Sequence, residues 1–226
     1  MVVFSGMIAG MNKHIGDHIK VVLFDHDDTL VGTIDAKWKQ HKHIAKTYYN
    51  FDLSDETIRE HWGKPLRELL CLLYETDDPE KALAHTVTVH ESFPKELFVA
   101  TIPTLKHLKD EGKLVGVITA TSRFSVEHDL RLHNVPAEYI DYLQSSDETI
   151  YHKPNPKVFE PTLKWLKQQG VKPNEVVYIG DGLHDMKAAL GAGFSFLGVE
   201  TGLVTAKQFK AAGAQSLASI GELFPS

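Results

Sequence analysis

The sequence lacks several features that mark specialised classes of protein. Its single cysteine, Cys71, cannot form a disulfide within the chain, so the fold does not require an oxidising compartment. No apolar run reaches the ~20 residues that a membrane-spanning helix needs. No basic run could neutralise a row of nucleic-acid phosphates, and the formal net charge is -6. These absences predict a cytoplasmic protein with no membrane or nucleic-acid partner.

A signal peptide is not expected either. Residues 1–10 are apolar and small, but no basic segment precedes them and no obvious cleavage site follows. We expect residues 1–19 to form an N-terminal extension, or the true start to be Met7 or Met11. The chain also has no internal repeat and no low-complexity tract, so its 226 residues are predicted to form an ordinary globular protein.

What the chain does contain is a series of short apolar runs separated by helical patterns. The runs are typical of strands buried on both faces, and they lie at residues 20–24, 114–118, 175–179 and 194–199. Helical patterns follow the later runs or separate them, at residues 125–133, 156–169 and 183–190. This alternation predicts an α/β fold with a doubly wound parallel sheet.

Residues 33–100 have a different character, because they show no convincing strand. Their helical patterns cover residues 35–49, 55–62, 66–74 and 79–97. We therefore predict a core domain made of residues 20–32 and 101–226, interrupted by a helical domain at residues 33–100.

Polar residues follow the predicted strands at the edge where ligands bind in parallel sheets. They are Asp25, Asp27, Asp28 and Thr29 after the first strand, Thr119 after the second, Asp181 and Asp185 after the third, and Lys153 before a helix. Each alone has an ordinary explanation as a turn, a helix cap or a surface charge. Their order and spacing together favour a single site.

These residues resemble the four motifs of the haloacid dehalogenase-like hydrolases, a superfamily made largely of phosphatases. The motifs correspond to residues 24–30, 117–121, 153–154 and 180–185. The resemblance extends over the helical insertion, which is similar to the cap of phosphoglycolate phosphatases and β-phosphoglucomutases. It implies a Rossmann-like core, a small helical cap and a phosphatase activity that depends on Mg²⁺.

The first motif carries two carboxylates with separate expected roles. Asp25 would attack phosphorus and become an aspartyl phosphate. Asp27 lies on the same side of an extended segment, where it would protonate the leaving oxygen and then activate water. A halide leaving group needs no proton, whereas an alkoxide does. Asp27 therefore favours phosphoryl transfer over carbon–halogen cleavage.

The remaining motif residues are expected to bind metal and phosphate. Four carboxylates in one pocket repel one another unless a cation lies among them. Mg²⁺ would take oxygens from Asp25, from the backbone carbonyl of Asp27 and from Asp181, with Asp185 binding directly or through water. Phosphoryl oxygens would contact Thr119 and the amide of Ala120, while Lys153 would offset the negative charge.

Two positions differ from the commonest family pattern, and two cap residues are candidates for substrate binding. Asp28 replaces the frequent Gly, and His26 replaces an apolar residue. The His26 side chain is expected to point away from the site while its amide contacts phosphate, and a catalytic role is the alternative, although the neighbouring carboxylates already fill the acid and base positions. Lys64 and Arg67 could meet a second anionic group of the substrate, or could only flank the start of a helix.

Two other functions remain as alternatives. A sugar-phosphate mutase would use the same aspartyl phosphate but return the phosphoryl group to another hydroxyl. A non-catalytic sensor of phosphorylated metabolites would have less need of the two aspartates, Asp25 and Asp27. The expected partner is a small phosphorylated metabolite, and the expected assembly is a monomer or a homodimer.

Overall fold

The computed structural model describes residues 15–62, 64 and 66–224. The strands are β1 (Val21–Phe24), β2 (Val31–Gly32), β3 (Glu96–Leu97), β4 (Leu114–Ile118), β5 (Tyr142–Gln144), β6 (Val176–Gly180), β7 (Ser195–Val199) and β8 (Ser216–Leu217). The α-helices are α1 (Thr33–Tyr48), α2 (Asp55–His61), α3 (Leu66–Tyr74), α4 (Pro79–Thr88), α5 (Thr101–Asp110), α6 (Arg123–Leu132), α7 (Glu160–Gln168), α8 (Leu183–Gly191) and α9 (Ala206–Ala211).

The larger sheet is parallel throughout. Within the described residues it has six strands in the order β5-β4-β1-β6-β7-β8. Phe24, at the end of β1, pairs with Val117 on one side and Ile179 on the other. The carboxyl ends of β1, β4 and β6 therefore meet at one edge, and the strand order changes direction around β1. The predicted α/β fold with a doubly wound, Rossmann-like parallel sheet is confirmed.

The central strand β1 is buried on both faces of the sheet, as its apolar sequence predicts. Val22 and Phe24 belong to one hydrophobic cluster, and Val21 and Leu23 belong to the cluster on the other face. All four side chains have no solvent exposure. Burying one such side chain contributes about 1.5–3 kcal/mol, so a rigid strand leads directly to the residues that follow Phe24.

The predicted N-terminal extension is only partly separate from this core. Ile15 and Ile19 are each 3% exposed and pack in the same cluster as Val22 and Phe24. Residues 15–19 therefore belong to the core, which corrects the predicted boundary at residue 20. The rest of the predicted extension, residues 1–14, lies outside the described residues.

The chain divides into two compact units. The helical unit is Gly32–Glu96, where we predicted residues 33–100, and the α/β unit contains, among the described residues, 15–31 and 97–224. Within the helical unit, apolar faces of the helices pack around Ile44, Ile58 and Leu70. Two of the helices begin at polar caps: the Ser54 hydroxyl accepts from the amide of Thr57 at the start of α2, and the Asp78 carboxylate accepts from the amide of Lys81 at the start of α4.

Two expectations for residues 33–100 were wrong. The helix predicted at residues 79–97 ends with α4 at Thr88, and a separate short 3-10 helix follows at His90–Ser92. Pro94, with its ring and missing N–H, prevents a helix from running on to residue 97. Residues Glu96–Leu97 form the short strand β3, which pairs with β2, although no strand was expected in this region. Within residues 15–62, 64 and 66–224, no helix is long and apolar enough to cross a bilayer.

Candidate active site

The loop after β1 places its first carboxylate at the sheet edge. The amide of Asp25 donates to the carbonyl of Ile179 over 2.8 Å, which continues the ladder between β1 and β6. The loop then turns at Asp28, whose φ of 53° lies in a region that Asp tolerates better than most residues. The Thr201 hydroxyl donates to the carbonyl of Asp28 and holds this turn.

Lys153 lies at the centre of the site, although it comes from a loop far along the chain. Its Nζ is 3.0 Å from Oδ1 of Asp25 and 2.7 Å from Oδ1 of Asp185. It also donates to the hydroxyl of Tyr178 over 2.6 Å, and that hydroxyl donates to the carbonyl of Ile118. The side chain of Lys153 is 5% exposed. The ammonium group is thus held by Asp25 after β1, by Tyr178 in the middle of β6 and by Asp185 in α8.

The other two carboxylates of the cluster are Asp181, directly after β6, and Asp185, in the helix that follows. Asp185 lies in the first turn of α8, where its Oδ2 accepts from the amide of Gly182 over 2.9 Å. A carboxylate is favourable at this helix end because the unpaired amides carry partial positive charge. Asp181 packs so closely against Gly202 that a Cβ at Gly202 would lie 1.9 Å from Oδ2 of Asp181. A side chain at position 202 would therefore displace the Asp181 carboxylate.

Burial and mutual repulsion shift the pKa values of these acids upward. Burial raises the pKa of Asp25 to about 6; the Lys153 ammonium opposes this shift, and the charges of Asp185 and Asp27 add to it. Burial, followed by the charges of Asp25 and Asp185, raises the pKa of Asp181 to about 9. Although burial alone would lower it, the pKa of Lys153 lies well above its usual range because Asp185 and Asp25 surround the ammonium group.

This arrangement fits a divalent cation by the chemistry of its donors. Asp25, Asp181 and Asp185 each offer a carboxylate oxygen, and the three oxygens lie within 4.8 Å of one another. Hard cations such as Mg²⁺ prefer oxygen ligands of this kind. The pKa of Asp181 is raised first by burial and then by the charges of Asp25 and Asp185, and a cation among these carboxylates would offset that charge. These residues are the ones that could hold a metal ion.

Asp27 contacts the residues that follow β4. Its Oδ2 accepts hydrogen bonds from the hydroxyls of Thr119, at 3.4 Å, and Thr121. Thr119 is 4% exposed, and its amide is fixed by the carbonyl of Gln144 at 3.0 Å. Ala120, between the two threonines, is exposed. The predicted acid and the predicted phosphate-binding residues therefore lie together, at the ends of neighbouring strands.

The two cap residues that were predicted to bind substrate lie in the helical unit, and each pairs with an acid there. Lys64 Nζ is 2.7 Å from Glu68, and Arg67 Nε is 2.7 Å from Glu80. All four side chains are at least 40% exposed. These contacts are ordinary surface ion pairs, and a role in substrate binding stays a prediction for both residues.

Three residues with direct contacts in the site were not singled out from the sequence. In the sequence, nothing distinguishes Tyr178 from the other residues of the buried strand β6, and nothing distinguishes Gly202 from other loop glycines. Thr121 was included in a motif without a role, yet its hydroxyl bonds to Asp27. The polar hydroxyl of a tyrosine inside an otherwise apolar strand was the one available signal, because a buried Tyr O–H needs a partner.

Comparison with known proteins agrees with this geometry. The sequence model of a family described as haloacid dehalogenase-like hydrolase matches residues 22–199. A Clostridium perfringens protein assigned as pyrophosphatase PpaX is 33% identical over 185 residues, which cover 80% of this chain and 84% of that protein.

Solved structures show the same similarity. A haloacid dehalogenase-like hydrolase from Bacteroides fragilis has 29% identity and a TM-score of 0.75, covering 91% of this chain and 100% of its own. A structure assigned as a β-phosphoglucomutase, from Thermotoga maritima, has a TM-score of 0.78 over 91% of this chain and 96% of its own. At 23% identity, the second similarity concerns the fold alone.

Proposed function

The chain belongs to the haloacid dehalogenase-like hydrolases, and from this membership we propose that it is a magnesium-dependent phosphatase of small phosphomonoesters. The observation that supports this most directly is the position of Asp25. Its carboxylate lies beside the Lys153 ammonium and within reach of Asp181 and Asp185, at the end of the central strand. Asp25 would act as the nucleophile, and the phosphoryl group would pass to one of its oxygens.

The electrostatics of the site suit this step. With a pKa of about 6, Asp25 is mainly ionised at neutral pH, as attack on phosphorus requires. Lys153 stays protonated because its pKa is raised, and its ammonium group would offset charge on the nucleophile and on the phosphoryl oxygens. The hydroxyl of Thr119 and the amide of Ala120 would bind those oxygens and orient the group for attack.

Asp27 would act as the general acid and then as the general base. The Thr119 and Thr121 hydroxyls hold its carboxylate at one side of the nucleophile. In the first step Asp27 would donate a proton to the leaving oxygen. In the second step it would accept a proton from the water that hydrolyses the aspartyl phosphate.

Asp25, Asp181 and Asp185 would hold the cation, with the backbone carbonyl of Asp27 as a further proposed ligand. When bound, Mg²⁺ would neutralise the carboxylates and the charge on the transferring phosphoryl group. Asp185 would also orient Lys153 through the ion pair between Oδ1 and Nζ, while its other oxygen stays on the amide of Gly182.

A second substrate class is inorganic pyrophosphate, because the similar Clostridium perfringens protein carries the name pyrophosphatase. Pyrophosphate differs from a phosphomonoester in its leaving group, which is phosphate and not an alkoxide. The mutase alternative differs in the acceptor, which is a sugar hydroxyl and not water. The cytoplasmic location and the monomeric or dimeric state stay predictions.

The experiment is phosphate release from a panel of pyrophosphate, 2-phosphoglycolate and sugar phosphates, with and without Mg²⁺. We expect release that requires the metal and is lost in Asp25→Asn, with Lys106→Met, which removes an exposed lysine paired with Asp110, as an active control. Sugar-phosphate isomerisation without phosphate release would indicate the mutase. Binding without turnover of any compound in either assay would indicate the sensor.

The role of Asp27 has its own test, because an acid matters most when the leaving group is poor. Asp27→Asn is expected to lower the rate for β-glycerophosphate by about 10²–10⁴-fold. The loss should be smaller for p-nitrophenyl phosphate, whose leaving group needs no proton. Equal losses for the two esters would contradict a proton-donating role.

A further inference from the structure

His26 lies between the two carboxylates of the first motif but faces the opposite way. Asp25 contacts Lys153 and Asp27 contacts Thr119, whereas the His26 ring is fully buried against helix α6. Its Nε2 lies 3.0 Å from Oδ2 of Asp129, a residue 103 positions along the chain. Successive side chains of an extended segment point in opposite directions, which places His26 on the side away from Asp25 and Asp27. The loop therefore has a polar contact behind the site.

The chemistry of the pair fixes the donor. An ionised carboxylate only accepts hydrogen bonds, so Nε2 of His26 carries the proton and donates to Asp129. The other ring nitrogen, Nδ1, is buried and has no hydrogen-bond partner among the described residues. An apolar side chain would fill the same space without an unpaired nitrogen. What a histidine adds at this position is therefore its bond to Asp129.

The helix that carries Asp129 is connected to the predicted phosphate-binding loop. Helix α6 begins at Arg123, directly after residues 119–122, and the Ser122 hydroxyl caps its first turn by accepting from the amide of Ser125. Asp129 is on the buried face of the same helix, 8% exposed. The His26–Asp129 bond thus joins the nucleophile loop to the element that supports the phosphate-binding loop.

The two loops are joined on both faces. On the side of the site, Asp27 accepts from Thr119 and Thr121; behind it, His26 donates to Asp129. The backbone carbonyl of His26 also accepts from the amides of Leu30 and Val31, so the residue that carries the ring belongs to the hydrogen-bonded turn that follows. The nucleophile loop is therefore bonded both to the end of β4 and to α6.

We propose that His26 and Asp129 are a pair of positioning residues, which hold Asp25 and Asp27 in register with the phosphate-binding residues Thr119 and Ala120. The catalytic part of this inference rests on the proposed phosphatase function. Neither residue touches the substrate. Their effect comes through geometry, because a shift of about 1 Å between a nucleophile and its target can reduce a rate by about 10²-fold.

The experiment compares His26→Leu, Asp129→Leu and the double variant, with p-nitrophenyl phosphate and Mg²⁺ as the probe. Each single variant is expected to lower kcat by about 10–100-fold with KM within about threefold of the parent, at a temperature where circular dichroism shows a folded protein. Asp129→Asn keeps an acceptor oxygen and should restore most of kcat. The double variant should lose no more than the worse single variant, because both break one bond.

A second readout does not depend on turnover, so a failure of this inference can be told from a failure of the proposed function. In His26→Leu, hydrogen exchange of the Leu30 and Val31 amides should become at least about tenfold faster. His41→Leu is the matched control, because His41 is also buried and bonds to Tyr74 over 2.7 Å in the helical unit. It should leave exchange at these two amides unchanged.

Normal kcat and normal exchange in a folded His26→Leu protein, with only a lower melting temperature, would overturn the proposal. Additive losses of kcat in the double variant would overturn it as well. If one single variant does not fold, the other breaks the same bond from the opposite side and decides the question. If the parent releases no phosphate, the exchange comparison still tests the pair.

Discussion

Lys153 and Lys64 each form ion pairs with carboxylates, but they do so in very different surroundings. Lys153, in the α/β unit, is 5% exposed and contacts Asp25 and Asp185 at the sheet edge. Lys64, in the helical unit just before α3, is 40% exposed and contacts Glu68 in that helix. Charges in water are screened and their pairs contribute little, whereas buried charges interact strongly and shift one another's pKa. The difference in burial therefore means that Lys153 interacts strongly with its carboxylates, whereas Lys64 forms an ordinary surface ion pair.

The largest expected effect comes from removing each lysine in turn. Lys153→Met should lower the rate of phosphate release by about 10²–10³-fold, since it removes the cation beside the nucleophile. It should also lower the free energy of unfolding by about 3 kcal/mol, because two buried carboxylates lose their partner. Lys64→Met should leave stability close to the parent value. Urea unfolding measures the stability and phosphate release measures the rate. Equal losses in Lys153→Met and Lys64→Met would contradict the difference proposed between the two lysines.

The second prediction concerns pH. The raised pKa values of Asp181, about 9, and Asp25, about 6, mean that the metal-free fold holds protons that the unfolded chain, with a value of 3.8, has lost. The metal-free protein should therefore lose stability as pH rises from about 4 to about 9, with the Asp25 contribution lost by about pH 6 and the Asp181 contribution by about pH 9. A cation must displace the Asp181 proton, so Mg²⁺ affinity should increase about tenfold per pH unit between pH 6 and 9. Calorimetric titration that finds a constant affinity would contradict this.

A smaller effect is expected from crowding one carboxylate. In Gly202→Ala, the added methyl group would displace the Asp181 carboxylate and should weaken Mg²⁺ binding by about tenfold. Gly213→Ala is the control, since nothing lies within 4 Å of its Cβ position and its φ of 85° carries only a strain cost of about 1 kcal/mol. Calorimetry should find normal metal affinity in the control. Normal affinity in Gly202→Ala would show that Asp181 does not bind the metal.

The smallest expected effect is the loss of one hydroxyl group, and it should differ between two buried tyrosines, Tyr178 and Tyr74. Tyr178→Phe removes the hydroxyl between Lys153 and Ile118, and Tyr74→Phe removes the hydroxyl bonded to His41 in the helical unit. Both should cost about 1 kcal/mol of stability. Only Tyr178→Phe should also lower kcat, by about three- to tenfold, because Lys153 loses one of the partners that orient it. An unchanged kcat in Tyr178→Phe would show that Tyr178 does not help to orient Lys153.

The sequence predicted the elements that have strong local signals. The run at residues 114–118 is β4 itself, and the runs at 20–24 and 175–179 differ from β1 and β6 by one residue at one or both ends. Strands of two or three residues, such as β5 and β8, are too short to show a pattern. Their pairing is decided by the neighbouring strand, which local sequence does not describe.

The same distinction holds for the candidate site. Asp25, Thr119 and Asp181 could be grouped in advance because each follows a strand of a parallel sheet. Gly202 and Asp129 could not, since their importance lies in how closely another segment approaches them. His26 was expected to point away from the site, and its ring does so, but no local pattern indicates that Asp129 is its partner.

The most direct test of the account is to trap the intermediate. The parent protein would be quenched in acid during turnover with Mg²⁺ and the best substrate, digested, and examined by peptide mass spectrometry. The account predicts a phosphoryl group on Asp25 that is absent from Asp25→Asn. Turnover with the phosphoryl group on another residue, or with none on any peptide, would contradict it.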